Sequence, residues 1–176
     1  EKAKELLTEA GYPNGSGFPA MEYIYVASDT AKAIADTVTA MWRQQLGITV
    51  TARAVTQEEY DAALTAGTEI SGGSSDAETQ SSFQIAARTF TASYNDAKAL
   101  LGDWYSTNAG NYAGYGSEAF DILMESARAS VAPEARDAYL HDAEAILLND
   151  APVIPLYYEG LSWQLREGLS GLYRAP

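Results

Sequence analysis

Apolar and polar positions along this chain follow two periods, and each switch between them marks an element. Ala3, Leu6, Leu7 and Ala10 recur at helical spacing, which predicts a helix from about Ala3 to Ala10 that stops at Gly11. A connector rich in Pro, Gly, Asn and Ser runs from Pro13 to Pro19, and Met21 to Val26 then reads as a strand. Ser28 or Asp29 caps a long helix whose stripe is Ile34, Val38, Met41, Trp42 and Leu46, closed by Gly47, with Trp42 expected in the core. Ile48 to Val55 is the next strand. Thr56 and Glu59 stand at capping-box spacing, so a short helix to about Ala66 should follow. Gly67 to Ser82, dominated by Gly, Ser, Thr and acidic residues without period, is expected to be a mobile surface insertion.

Order is predicted to return at Phe83, with a third strand from Phe83 to Phe90. Three helices come next: Ala97 to Tyr105, capped by Asn95 or Asp96; Glu118 to Ala129, with Phe120, Leu123, Met124 and Ala127 on one face; and Pro133 to Asn149. In the last of these, Leu140, Ala143 and Leu147 recur with Tyr139 and Ile146 beside them. Pro152 falls where that helix must have ended. The run Val153-Ile154-Pro155-Leu156-Tyr157-Tyr158 is apolar and rich in β-branched and aromatic residues, as a strand would be, and Tyr157, Tyr158, Trp163 and Tyr173 are expected to be buried strand residues. Alternation of strand and helix implies right-handed βαβ crossovers, hence an α/β fold with a largely parallel sheet and helices on both faces.

Composition narrows the function. A chain of 176 residues is long enough to bury a core. Its formal charge of −13, with eleven Lys and Arg, would repel phosphate backbones and anionic lipid, so no nucleic-acid partner is expected. Zero cysteines exclude disulfides, thiolate metal sites and Cys nucleophiles, and the single His141 excludes a His-rich metal site. No metal and no cofactor are expected. There is no apolar run of about eighteen residues to span a bilayer. The chain opens at Glu1, inside a predicted helix, and is therefore expected to be a piece of a longer protein.

Candidate chemistry gathers in two loops. In open parallel sheets ligands sit at the carboxyl ends of strands, and the chain leaving the third strand is Arg88-Thr89-Phe90-Thr91-Ala92-Ser93-Tyr94-Asn95-Asp96. The Phe90 ring, the hydroxyls of Thr89, Thr91 and Ser93, and the free amides of the helix N-terminus expected at Asn95 suit an extended polar ligand held by main-chain and side-chain hydrogen bonds. The alternative for Asn95 and Asp96 is that they cap the next helix. The second loop, Asn108 to Gly116, offers Asn111 and Tyr115 among glycines that permit close backbone approach, or is an ordinary connection between helices. Acidic pairs such as Glu58/Glu59 and Asp142/Glu144 fall on solvent-facing helix positions, and no serine elbow accompanies His141, so catalysis is not expected.

Four blocks carry a resemblance. They are Ala3 to Pro19; Ile34 to Val50 with Met41-Trp42 and Leu46-Gly47-Ile48; Phe83-Gln84-Ile85-Ala86 to Tyr94-Asn95-Asp96; and Ala143 to Tyr158. In this order they resemble the extracellular solute-binding proteins of oligopeptide and dipeptide ABC importers, family 5. The resemblance implies a C-terminal fragment with a periplasmic-binding-protein type II-like lobe over residues 1–153. Residues 154–176 would be a segment returning toward the hinge and the other lobe. It further implies a peptide or other small solute as ligand, a membrane permease as partner, and an extracytoplasmic location, periplasmic or as a cell-surface lipoprotein.

In that family an aromatic residue and an acidic residue precede Tyr-Asn in the corresponding loop, and the acid pairs with a peptide's amino terminus. Here those positions are Phe90 and Ser93, and Ala97 stands where Pro is common. Asn111 and Tyr115 match a family Asn and Tyr. The alternative to a solute-binding fragment is a stand-alone α/β domain that binds a protein partner.

Overall fold

The computed structural model describes residues 1–71, 83–158, 160 and 166–168, with the side chains of 67–71 left aside. It divides into two compact units, Glu1–Thr89 and Phe90–Pro176.

The first unit is a three-stranded parallel sheet flanked by helices. Helix α1 (Lys2–Glu9) and a 3-10 turn (Pro13–Gly15) lead into β1 (Met21–Val26), followed by α2 (Asp29–Leu46), β2 (Val50–Val55), α3 (Gln57–Ser71) and β3 (Ile85–Ala86). The strand order is β2-β1-β3, with Met21 opposite Val50 and Tyr23 opposite Ile85. The connections leave β1 toward β2 and then return past it to β3, so right-handed crossovers put α2 and α3 on opposite faces. Side chains alternate accordingly. Tyr23, Tyr25, Ile48 and Val50 pack with Ala35 of α2, whereas Ile24 and Val55 pack with Tyr60 and Leu64 of α3. Central β1 is therefore buried on both faces, as parallel strands are.

Local chemistry sets the helix ends. Ser28 caps α2 by accepting from the Ala31 amide at 3.1 Å, which decides between the two expected caps. Thr56 and Glu59 form the expected capping box: the Thr56 amide donates to the Glu59 carboxylate at 2.8 Å, and the Glu59 amide to the Thr56 hydroxyl at 3.2 Å. Gly47 ends α2 in the left-handed region, φ 73°. A Cβ there would lie 2.2 Å from the Asn14 carbonyl oxygen, and one on Gly15 would lie 2.6 Å from the Gly47 and Leu46 backbone. The segments around Gly15 and Gly47 thus touch backbone to backbone, which only glycine permits.

Several expectations need correction. Trp42 is only partly buried, and Met41 is 57% exposed, because the face of α2 that meets the sheet is centred on Ala35. Helical backbone in α3 runs on to Ser71, past the expected end at Ala66; one glycine costs a helix about 1 kcal/mol, and Gly67 does not stop it. The remainder of the expected insertion, residues 72–82, lies outside the described residues. The third strand pairs only at Ile85–Ala86, not from Phe83 to Phe90, since its ladder needs β1 beside it and the Phe90 end belongs to the second unit.

In the second unit, α4 (Lys98–Leu101) and a 3-10 turn (Gly102–Trp104) replace the single expected helix, and α5 (Glu118–Ala129) and α6 (Pro133–Asp150) follow. Leu101, Trp104, Phe120, Met124, Ala127, Leu140, Ala143 and Leu147 form the core, with Phe120 and Met124 fully enclosed. Ser117 caps α5 by accepting from the Phe120 amide at 3.3 Å. Helix α6 ends at Ala151, a non-glycine residue at φ 53°. Beyond it no strand forms at 153–158: Ile154 and Leu156 are exposed, Tyr157 is 57% and Tyr158 98% exposed. Strand propensity has no effect without a neighbouring ladder to pair with, and none is present among the described residues. Trp163 and Tyr173 lie outside the described residues.

Candidate functional site

The carboxyl ends of the strands come first, because the fold selects them. The crossovers from β1 and to β3 diverge, so the crevice outside the ends of these two strands is a topological switch point, where open α/β sheets bind ligands. The chain leaves β1 through Ala27 and Ser28, and leaves β3 through Ala87, Arg88 and Thr89. The buried Tyr60 hydroxyl donates to the Ala87 carbonyl, tying α3 to this exit, and burial raises the Tyr60 pKa. Thr89, the last residue of the first unit, is exposed.

The rest of the expected site lies in the second unit. Phe90 is half-buried, its ring tilted against Trp104 at 5.6 Å, so this aromatic is anchored on the helical core. Thr91, Ser93 and Asn95 are exposed. Of the two expected caps it is Asp96 that acts. Its carboxylate accepts the Lys98 amide at 2.8 Å and both oxygens accept from Arg136 Nη2, at 2.8 and 2.7 Å. Arg136 and the Lys98 amide hold the Asp96 carboxyl below its ordinary value. Asp96 thereby fastens the end of the loop to α6.

Asn111 is buried and its side chain is consumed by its own loop. It donates to the carbonyls of Tyr105 at 3.2 Å and Tyr115 at 2.6 Å, and accepts from the Tyr115 amide at 3.1 Å. A buried carboxamide with its bonds made has little left for a ligand, and the Asn111 bonds instead close the turn that carries Tyr115. Tyr115 sits edge-on to Phe120 at 5.8 Å and donates to Asp150 at 2.8 Å; burial and that carboxylate raise its pKa. The structure thus keeps the two loops as distinct groups, one presenting exposed hydroxyls and the other closed on itself.

Sequence reasoning missed Arg136, which is forty residues from its partner and carries no local signal. It also missed an open groove of about 370 Å³ lined by Lys98, Tyr105, Thr107, Asn108, Glu125 and Arg128. There Glu125 pairs with Arg128 and accepts from the Tyr105 hydroxyl at 3.2 Å. Burial, then the bond to Glu125, pushes Tyr105 up to about 12. The Glu125–Arg128 spacing of one helical turn was legible in the sequence; the groove was not. His141 is exposed on α6, 4.0 Å from Glu144. No group of three or more His, Cys, Asp or Glu able to hold a metal occurs among the described residues.

Comparison with known proteins agrees with this architecture. The periplasmic oligopeptide-binding protein OppA of Escherichia coli K12 is 28% identical over 158 residues, covering 90% of this chain and 26% of that protein. The dipeptide-binding protein DppE of Bacillus subtilis 168 is 26% identical over 177 residues, covering 99% of this chain and 30% of that protein. Against the solved structure of OppA from Burkholderia pseudomallei the TM-score is 0.74 at 28% identity, covering 88% of this chain and 28% of that one. The chain therefore spans less than a third of each of these relatives, and its lobe is of the periplasmic-binding-protein type II kind. Residues 1–112 match the family described as bacterial extracellular solute-binding proteins, family 5 Middle, and the chain belongs to that family.

Proposed function

We propose that this chain is part of the solute-binding component of an ABC importer, with a peptide-class ligand, and that it acts by binding and not by catalysis. The observation that carries the reading is the family match over residues 1–112, which spans the parallel sheet and the loop from Thr89 to Asp96. OppA and DppE, named for oligopeptide and dipeptide binding, support the ligand class. In this reading residues 1–153 are the ligand-binding lobe and 154–176 return toward the hinge. Thr89, Phe90, Thr91, Ser93 and Asn95 face the ligand, while Asn111 holds Tyr115 in place. The full-length protein works outside the cytoplasm, in the periplasm or as a surface lipoprotein, and hands its ligand to a membrane permease.

Ser93 sets the specificity. A hydroxyl cannot form the charge-assisted bond that a carboxylate forms with an ammonium group, a difference of roughly 1.5–3 kcal/mol. Calorimetry of the full-length protein with short peptides, free or blocked at the amino terminus, tests this. Full-length protein should bind peptides, and Ser93→Asp should shift preference toward free amino termini. The isolated chain should bind them weakly, because most of the length of its relatives is missing from it. Micromolar binding by the isolated chain, or no change of preference in the variant, would overturn the site assignment.

One observation favours the second reading, a domain that binds a protein partner: Ile154, Leu156, Tyr157 and Tyr158 are all exposed. The two readings separate on whether the full-length protein takes up a small solute.

A further inference from the structure

Asn14-Gly15 is the dipeptide in this chain most prone to covalent ageing, because glycine leaves the following amide sterically open to attack a neighbouring carboxamide. In that reaction the Gly15 backbone nitrogen, deprotonated by solvent hydroxide, bonds to Asn14 Cγ. The Cγ–Nδ2 bond breaks, ammonia leaves, and a five-membered succinimide closes. Water then opens the ring at either carbonyl, leaving aspartate or isoaspartate.

The fold opposes ring closure at three points. Gly15 N–H is already donated to the Tyr12 carbonyl at 2.9 Å, so the attacking nitrogen is held in the turn with its proton in use. Asn14 is fixed in the left-handed region, φ 53°, ψ 28°, and closure requires a large change of ψ that swings the Gly15 nitrogen onto Cγ. That swing is blocked by the close packing of the turn on the end of α2: a Cβ on Gly47 would lie only 2.2 Å from the Asn14 carbonyl oxygen, and one on Gly15 only 2.6 Å from the Gly47 and Leu46 backbone. The side chain of Asn14 is nevertheless exposed to water, so solvent access is not what protects it.

We propose that Asn14-Gly15 is a deamidation site gated by the contact between the Pro13–Gly15 turn and the Gly47 end of α2. While the contact holds, the amide persists. Each local opening of the turn exposes it, and isoaspartate, with an extra carbon in the backbone, cannot re-enter so tight a contact. The modification would thus lock the turn, and α1 with it, off α2.

Peptide mapping by mass spectrometry on the chain aged at mildly alkaline pH reads the result. The folded chain should lose its Asn14 amide about tenfold or more slowly than the chain unfolded in guanidinium chloride, the protection given by an opening cost of about 1.4 kcal/mol or more. Gly47→Ala, which pushes the turn away, should age faster than the parent. Should that variant fail to fold by circular dichroism, Tyr12→Ala serves instead, since it removes the edge-on contact of Tyr12 with Phe18 at 5.1 Å that braces the turn. Equal rates in the folded and unfolded parent, or folded variants that age no faster than the parent, would overturn the proposal.

Discussion

The two units bury their cores by different routes. In the first, Ile24 is fully enclosed only because β2 and β3, drawn from distant parts of the sequence, lie on either side of β1 while α3 covers the face. In the second, Phe120 and Met124 are enclosed by α5 and α6, which follow each other with a three-residue link, together with Leu101, Trp104, Tyr105 and Tyr115 just before them in the chain. Burial in a sheet is a property of pairing. Burial in a helical hairpin is a property of periodicity. This is why the α5 face was legible in advance, whereas the α2 stripe was read with the wrong centre.

The sharpest test sets one aromatic from each unit against the other. In denaturant titration Phe120→Ala should cost about 3–5 kcal/mol, the loss typical of an enclosed ring. Trp42→Ala should cost only about 1–2 kcal/mol, because its ring is only partly withdrawn from water and leaves no closed cavity. Equal losses would remove the contrast between the two cores.

A smaller effect concerns the tie that only tertiary structure made. Asp96→Asn should cost about 1–2 kcal/mol at neutral pH, since the pair with Arg136 is charge-assisted yet partly open to solvent. The Asp96 pKa is lowered in the folded state, chiefly by the Arg136 hydrogen bonds. Its contribution is therefore complete above the ordinary aspartate range and is lost as pH falls through the lowered value. Titrating both proteins with acid should show the difference between them vanish in that window; a difference that persists in strong acid would mean the carboxylate charge is not what matters.

The smallest effect is one of sign. Ala151→Gly should stabilise by about 1 kcal/mol, because α6 ends with Ala151 in a left-handed conformation that glycine adopts without steric cost. A loss on thermal unfolding would show that the Ala151 methyl makes a compensating contact.

By itself the sequence determined the elements whose causes are local. Ser28, the Thr56–Glu59 box and Ser117 set helix starts through hydrogen bonds within one turn, and Gly47 set an end through its freedom to take positive φ. The α/β class followed from the order of such elements, and the same order is what singled out the loop from Thr89 to Asp96 as a candidate. Tertiary structure decided everything that depends on a partner far along the chain. It shortened β3 to two paired residues, gave Asp96 to Arg136, and turned Asn111 inward to hold its own loop. It left the apolar run at Ile154 to Tyr158 exposed, for strand propensity states what a segment can pair with but not whether a neighbour is there.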